Sequence, residues 1–122
     1  KLKHYENEFK LVTVYGGVNI DDQIRQLRQG VDIFVGTTGR VLDHIERGNI
    51  DFSGLKSLIL DEADQMLKLG FKEDIDRILK TVRDVCDKEA LQICLFSATI
   101  PSWVKQLARN YMKKGFRIVD LA

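Results

Sequence analysis

In Leu58-Ile59-Leu60-Asp61-Glu62-Ala63-Asp64 an apolar run passes straight into a cluster of carboxylates. Three consecutive large aliphatic residues read as a short strand buried on both faces, which is the signature of a parallel sheet. In an open parallel sheet, ligands bind beyond the carboxyl ends of the strands. Asp61 is then placed to hold Mg²⁺ through water beside a nucleotide phosphate. Glu62 is placed to orient and deprotonate an attacking water. A plainer reading competes, because acidic residues also favour the positive end of a helix dipole. For an isolated D-E-x-D the plainer reading is the commoner one. The balance reverses because Ser97-Ala98-Thr99 follows a second apolar run, Gln92–Phe96. The hydroxyls of Ser97 and Thr99 can reach Asp64 or a bound phosphate, and Thr99 can cap the helix that follows.

The same alternation extends in both directions. Further strands are expected at Leu11–Tyr15, Val31–Val35 and Phe116–Asp120. Asn19 can cap a helix that shares Ile20, Ile24 and Leu27 on one face and stops at Gly30. The next helix runs from about Gly39, turns Val41, Leu42 and Ile45 inward and ends at Gly48. A longer one opens with Glu73 and Asp74 and carries the stripe Ile75, Ile78, Leu79, Val82, Cys86. The last begins near Pro101 and buries Trp103, Val104, Leu107 and Tyr111. Strand, helix, strand in repetition predicts an α/β fold, a parallel sheet with flanking helices.

Such a sheet would gather four polar clusters at one edge. Besides the two already named these are Gly16-Gly17 and Gly36-Thr37-Thr38-Gly39-Arg40. The glycine pair lets a backbone approach closely or simply makes a tight turn. The second cluster combines a helix N-terminus, hydroxyls and an arginine, which is a ready anion site that an RNA phosphate would fit. Its plain alternative is a helix start with a solvated arginine.

The remaining features exclude more than they assert. A length of 122 residues with 44% apolar content supports one domain with a core. A net charge of +1 with 30% charged residues argues against a disordered tail and against a strongly basic nucleic-acid binder, without excluding a local basic groove. Cys86 and Cys94 lack metal-ligand spacing, and Cys94 reads as a buried small hydrophobe. No run has the length of a membrane span or the form of a signal peptide, so cytosol or nucleus is expected. His4 and His44 have no ligand-spaced partners and are expected at the surface. Trp103 reads as core, and Lys113 and Lys114 as dipole-complementing residues of a last helical turn.

Taken in order, these motifs resemble the DEAD-box family of ATP-dependent RNA helicases. Asp61–Asp64 spells the DEAD quartet, Ser97-Ala98-Thr99 matches the SAT motif, and Gly16-Gly17 is similar to the GG motif. Thr37-Thr38-Gly39-Arg40 resembles T-P-G-R, and Leu69-Gly70-Phe71 the stretch after DEAD. The resemblance implies that residues 1–122 form the C-terminal part of a first RecA-like, ATP-binding lobe. It implies ATP and Mg²⁺ as cofactors of the complete protein, Asp61 as Mg²⁺ holder through water and Glu62 as activator of the hydrolytic water. Asp64, Ser97 and Thr99 would couple nucleotide to RNA, and Gly16, Gly17, Thr37, Gly39 and Arg40 would line the RNA backbone. RNA, bound through phosphates and 2′-hydroxyls, and a second RecA-like lobe are the implied partners. Pro101–Val104, Tyr111–Lys113 and Val119–Leu121 look most like the nucleolar Gu-type subgroup, implying nucleus or nucleolus, with cytoplasm as the alternative.

Two departures from the family stand out. Thr38 occupies the usual proline position, from which a modest effect on RNA contact is expected. No G-x-x-x-x-G-K-[ST] occurs in the 122 residues, nor the adenine-reading Q motif nor the arginine-bearing second lobe. On this resemblance Lys1 falls just downstream of P-T-R-E-L. The chain is therefore expected to be inactive alone, an excerpt or remnant with unpaired strands through which copies could associate. Two alternatives are a non-catalytic RNA-binding or interaction module of the same fold and a phospho-receiver domain. The receiver reading suffers because it needs acidic residues after strand one, where Tyr15-Gly16-Gly17 stands.

Overall fold

The computed structural model describes residues 9–120. His4, Leu121 and Ala122 lie outside them. The chain divides into two compact units, Lys1–Asp51 and Phe52–Ala122, and both are parallel α/β.

The first unit contains β1 (Leu11–Val14), α1 (Ile20–Arg28), β2 (Ile33–Gly36) and α2 (Thr38–Glu46). β1 pairs parallel to β2, with Leu11 opposite Ile33 and Val14 opposite Gly36. The Asn19 side chain accepts from the Asp21 N–H at 2.9 Å, so the cap forms where the sequence placed it. Asp21 and Asp22 in the first turn and Arg25 and Arg28 in the last complement the dipole of α1. Val12, Val14, Leu27, Val41 and Leu42 are buried.

Gly36 is required by packing. A Cβ there would lie 2.5 Å from Val41 Cγ2 and 2.7 Å from Val14 Cγ2. Gly36→Ala is therefore expected to destabilise by about 1–3 kcal/mol, the usual cost of overpacking, read as a lower urea midpoint at unchanged slope.

The second unit contains β3 (Ser57–Leu60), α3 (Ala63–Lys68), α4 (Lys72–Val85), β4 (Gln92–Leu95) and α5 (Ser102–Tyr111). β3 pairs parallel to β4, Ser57 opposite Gln92 and Leu60 opposite Leu95. Leu60, Leu67, Ile75, Leu79, Val104 and Leu107 form the core, and Leu58, Ile93, Leu95, Trp103 and Tyr111 pack against it. The expected stripe of α4 is buried throughout, Cys86 included. Gly70, at φ +90°, ends α3 and lets the Phe71 N–H reach back to the Met66 carbonyl at 2.9 Å.

The ladders join β1 to β2 and β3 to β4, so the strand-end clusters meet as two pairs, one within each unit. Phe116–Asp120 forms no strand: it has no hydrogen-bonded neighbour strand and follows a turn at Gly115, with Ile118 and Val119 exposed. β-propensity alone does not make a strand without a ladder to join. The strands are not buried on both faces, since Leu11, Ile33, Val35 and Ile59 are more than half exposed. Cys94, on β4, is half-buried; Cys86 is the buried thiol, its Sγ donating to the Phe52 carbonyl.

Candidate functional site

The site of the second unit begins where β3 ends. Leu60 is buried and Asp61 and Glu62 are exposed, so both carboxylates stand at the strand's carboxyl end. Glu62 takes a left-handed conformation, φ 55° and ψ 45°. Among the described residues it is the one non-glycine with positive φ. That conformation costs a residue bearing a Cβ about 1–2 kcal/mol, and such outliers cluster where function demands them. It turns the chain from β3 into α3 within one residue. The Asp61 carboxylate accepts the Glu62 N–H at 2.9 Å, and the Ala63 N–H donates to the Phe96 carbonyl at 3.0 Å. The DEAD segment is thereby pinned to the strand end that carries Ser97.

Asp64 closes the connection. It is 7% exposed, and its Oδ2 accepts from the Thr99 hydroxyl at 2.9 Å and the Thr99 N–H at 3.2 Å. Its Oδ1 accepts the Gln65 N–H at 2.9 Å. Its own N–H donates to Ser97 Oγ at 3.2 Å, and that hydroxyl donates to the Thr99 carbonyl at 2.5 Å. Both hydroxyls thus reach Asp64, Thr99 through the carboxylate and Ser97 through the backbone. Thr99's hydrogen bond is the largest influence on the Asp64 carboxyl and holds it below its ordinary value of 3.8 against the opposing effect of burial.

A depressed folded pKa gives stability that is complete above the unfolded value and is lost as pH falls through the folded one. Thr99→Val removes the leading stabiliser of the carboxylate. The stability gap between wild type and Thr99→Val is expected to be full above about pH 4 and to narrow on further acidification, as urea unfolding at stepped pH would record.

The residues present suit Mg²⁺ only in one manner. Among the described residues no cluster of three His, Cys, Asp or Glu side chains could form a protein-only cage. A single exposed carboxylate, Asp61, fits an ion whose other positions are filled by phosphate oxygens and water.

The first unit gathers the other two motifs. Gly16 and Gly17 form an exposed turn after β1, with Gly17 at φ +83°. Thr37, extended at φ −86° and ψ 152°, is the N-cap of α2, its N–H donating to the Val14 carbonyl at 3.1 Å. Thr38 and Gly39 occupy the first turn, whose N–H groups point out of the helix as an anion site needs. Arg40 is not a solvated arginine. Its side chain is 15% exposed, and its Nη1 donates to the Val18 carbonyl at 3.0 Å and to Gln23 Oε1 at 3.3 Å.

His44, expected at the surface, is fully buried. It stands three residues after Val41 on the inward face of α2, and its ring meets Gln23 Oε1 at 2.9 Å and Asn49 Nδ2 at 3.1 Å. Burial first, then the Arg40 charge, lowers its pKa. Gln23, 2% exposed, is the other residue the motifs did not point to. The available signals were spacings: Gln23 falls between Ile20 and Leu27 on the inner face of α1, and His44 follows Val41 by three.

Parallel strands, with Asp61 and Glu62 at the end of one and Asp64 bonded to the Ser-Ala-Thr that ends its neighbour, define a RecA-like fold. The comparisons with known proteins agree and specify it. The DEAD/DEAH box helicase model matches residues 1–107, and the chain belongs to that family. It is 49% identical over 108 residues, 88% of its length, to the DEAD-box ATP-dependent RNA helicase 7 of Arabidopsis thaliana. It is 42% identical over 120 residues, 98% of its length, to the ATP-dependent RNA helicase DDX50 of Mus musculus. It spans 16% of the length of each. The yeast DEAD-box splicing factor Prp28 superposes over 92% of this chain and 26% of its own, with TM-score 0.84 and 32% identity. Family membership sets the receiver alternative aside.

Proposed function

We propose that this segment supplies the hydrolytic and coupling part of the first lobe of an RNA helicase whose parent chain binds Mg-ATP and remodels RNA. The observation that carries the reading is the bond from Thr99 to the Asp64 carboxylate across β3 and β4. It ties the strand end bearing Asp61 and Glu62 to the strand end leading into α5. A change at the nucleotide is therefore felt in the Ser97–Thr99 segment.

In this reading Mg²⁺ neutralises phosphate charge when it is bound, and Asp61 holds it through water. Glu62, fixed by its left-handed backbone, orients the attacking water and accepts its proton. The Thr99 hydrogen bond favours the charged form of Asp64. Gly16, Gly17, Thr37, Gly39 and Arg40 take the RNA backbone, with duplex unwinding following from closure against a second lobe. The resemblance of residues 101–104 and 111–113 to the Gu-type subgroup points to work in the nucleus.

The test is nucleotide-dependent RNA binding by the full-length parent. A labelled single-stranded RNA should bind more tightly with Mg²⁺ and a non-hydrolysable ATP analogue than without them. Equal affinity in both conditions would favour a binding module that has lost its ATP chemistry.

A further inference from the structure

Gln23 joins three partners that sequence motifs leave separate. Its Nε2 donates to the Tyr15 carbonyl at 3.1 Å, and its Oε1 accepts from Arg40 Nη1 at 3.3 Å and lies 2.9 Å from His44 Nε2. The other ring nitrogen of His44, Nδ1, faces Asn49 Nδ2 at 3.1 Å. An amide nitrogen only donates, so Nδ1 accepts and Nε2 carries the proton. The histidine is then a neutral donor to Gln23, consistent with its burial. Every polar atom of the Gln23 amide is engaged, and no buried side-chain N or O among the described residues lacks a partner.

The arrangement grips the Gly16-Gly17 turn at both ends. Gln23 holds the Tyr15 carbonyl before it, and Arg40 holds the Val18 carbonyl after it at 3.0 Å. Two glycines in succession have no side chains to fix the turn, so its shape rests on these tethers. Arg40 in turn is oriented by the Gln23 oxygen, at 3.3 Å from Nη1, and by the Asp43 carboxylate, at 4.0 Å from Nε.

We propose that Gln23 and His44 are positioning residues for RNA: they fix Arg40 and the Tyr15–Val18 turn in the arrangement that receives an RNA phosphate. This rests on the functional reading above. Neither side chain touches the RNA; each acts through Arg40 and the turn.

The test uses the full-length parent with Gln23→Met, His44→Phe and His44→Gln, near-isosteric changes chosen to preserve packing. The readouts are affinity for a labelled single-stranded oligouridylate, KM for ATP at saturating RNA, and amide exchange at Tyr15–Val18. Gln23→Met and His44→Phe should weaken RNA binding about tenfold, the scale of losing a charge-assisted hydrogen bond. They should also speed exchange in the turn while KM for ATP holds. His44→Gln keeps a donor toward Gln23 and should return both readouts toward wild type. Unchanged exchange, or faster exchange with RNA affinity intact, overturns the proposal. So does a parallel loss of RNA affinity and ATP KM, which a general structural defect would give. Wild-type parent that binds no RNA would instead refute the functional reading on which the proposal stands.

Discussion

Glu62→Gln in the full-length parent is expected to lower ATP turnover by about 10²–10⁴-fold, the range contributed by a positioned general base. The amide has the same shape, and no hydrogen bond of the Glu62 side chain helps hold the fold: the bonds at this residue are made by its backbone, the N–H to Asp61 and the carbonyl to the Met66 N–H. The melting temperature should therefore barely move, and nucleotide affinity should persist because Asp61 is untouched. Turnover assays on matched wild-type and variant protein check the prediction, with thermal melts as the control. A fall in turnover matched by a fall in melting temperature would mean that Glu62 serves chiefly to start α3.

Leu79→Ala carries the largest expected cost in stability. Leu79 is fully buried in the cluster that includes Leu60, Ile75 and Leu107. Leu60 is the last residue of β3, and α5 contributes Leu107, so the deleted side chain supports both the strand that presents Asp61 and the helix that follows Ser97–Thr99. Truncation of a buried leucine costs about 2–5 kcal/mol, depending on how far the cavity collapses. That is a large share of the roughly 5–15 kcal/mol by which a domain is stable. Urea denaturation should show a lower midpoint at an unchanged slope.

The contrast between these positions explains what could be read from sequence. The α4 stripe was legible because helical spacing and core-facing burial are the same fact seen twice. The Asp61–Asp64 and Ser97–Thr99 clusters were legible because each follows an apolar run, and strand ends of a parallel pair fall together. The partner assignment within the pair was less so. Ser97 Oγ accepts from the Asp64 N–H, two residues beyond the left-handed turn at Glu62. No periodicity encodes that turn. Gln23 and His44 offered only their helical spacing as a signal: their bond spans 21 positions, and a polar residue on an apolar face looks like an exception until its partner is known. The apolar run Val31–Val35 misled in the opposite direction. Its composition suits burial on both faces, yet Ile33 and Val35 are about half exposed.

In the proposed function the two strand-end carboxylates, Asp61 and Glu62, serve an ATPase that responds to RNA. The most direct measurement is ATP hydrolysis by the full-length parent as single-stranded RNA is titrated in. Turnover that rises with RNA to a plateau is the predicted result. Turnover that is absent, or identical with and without RNA, would contradict the account.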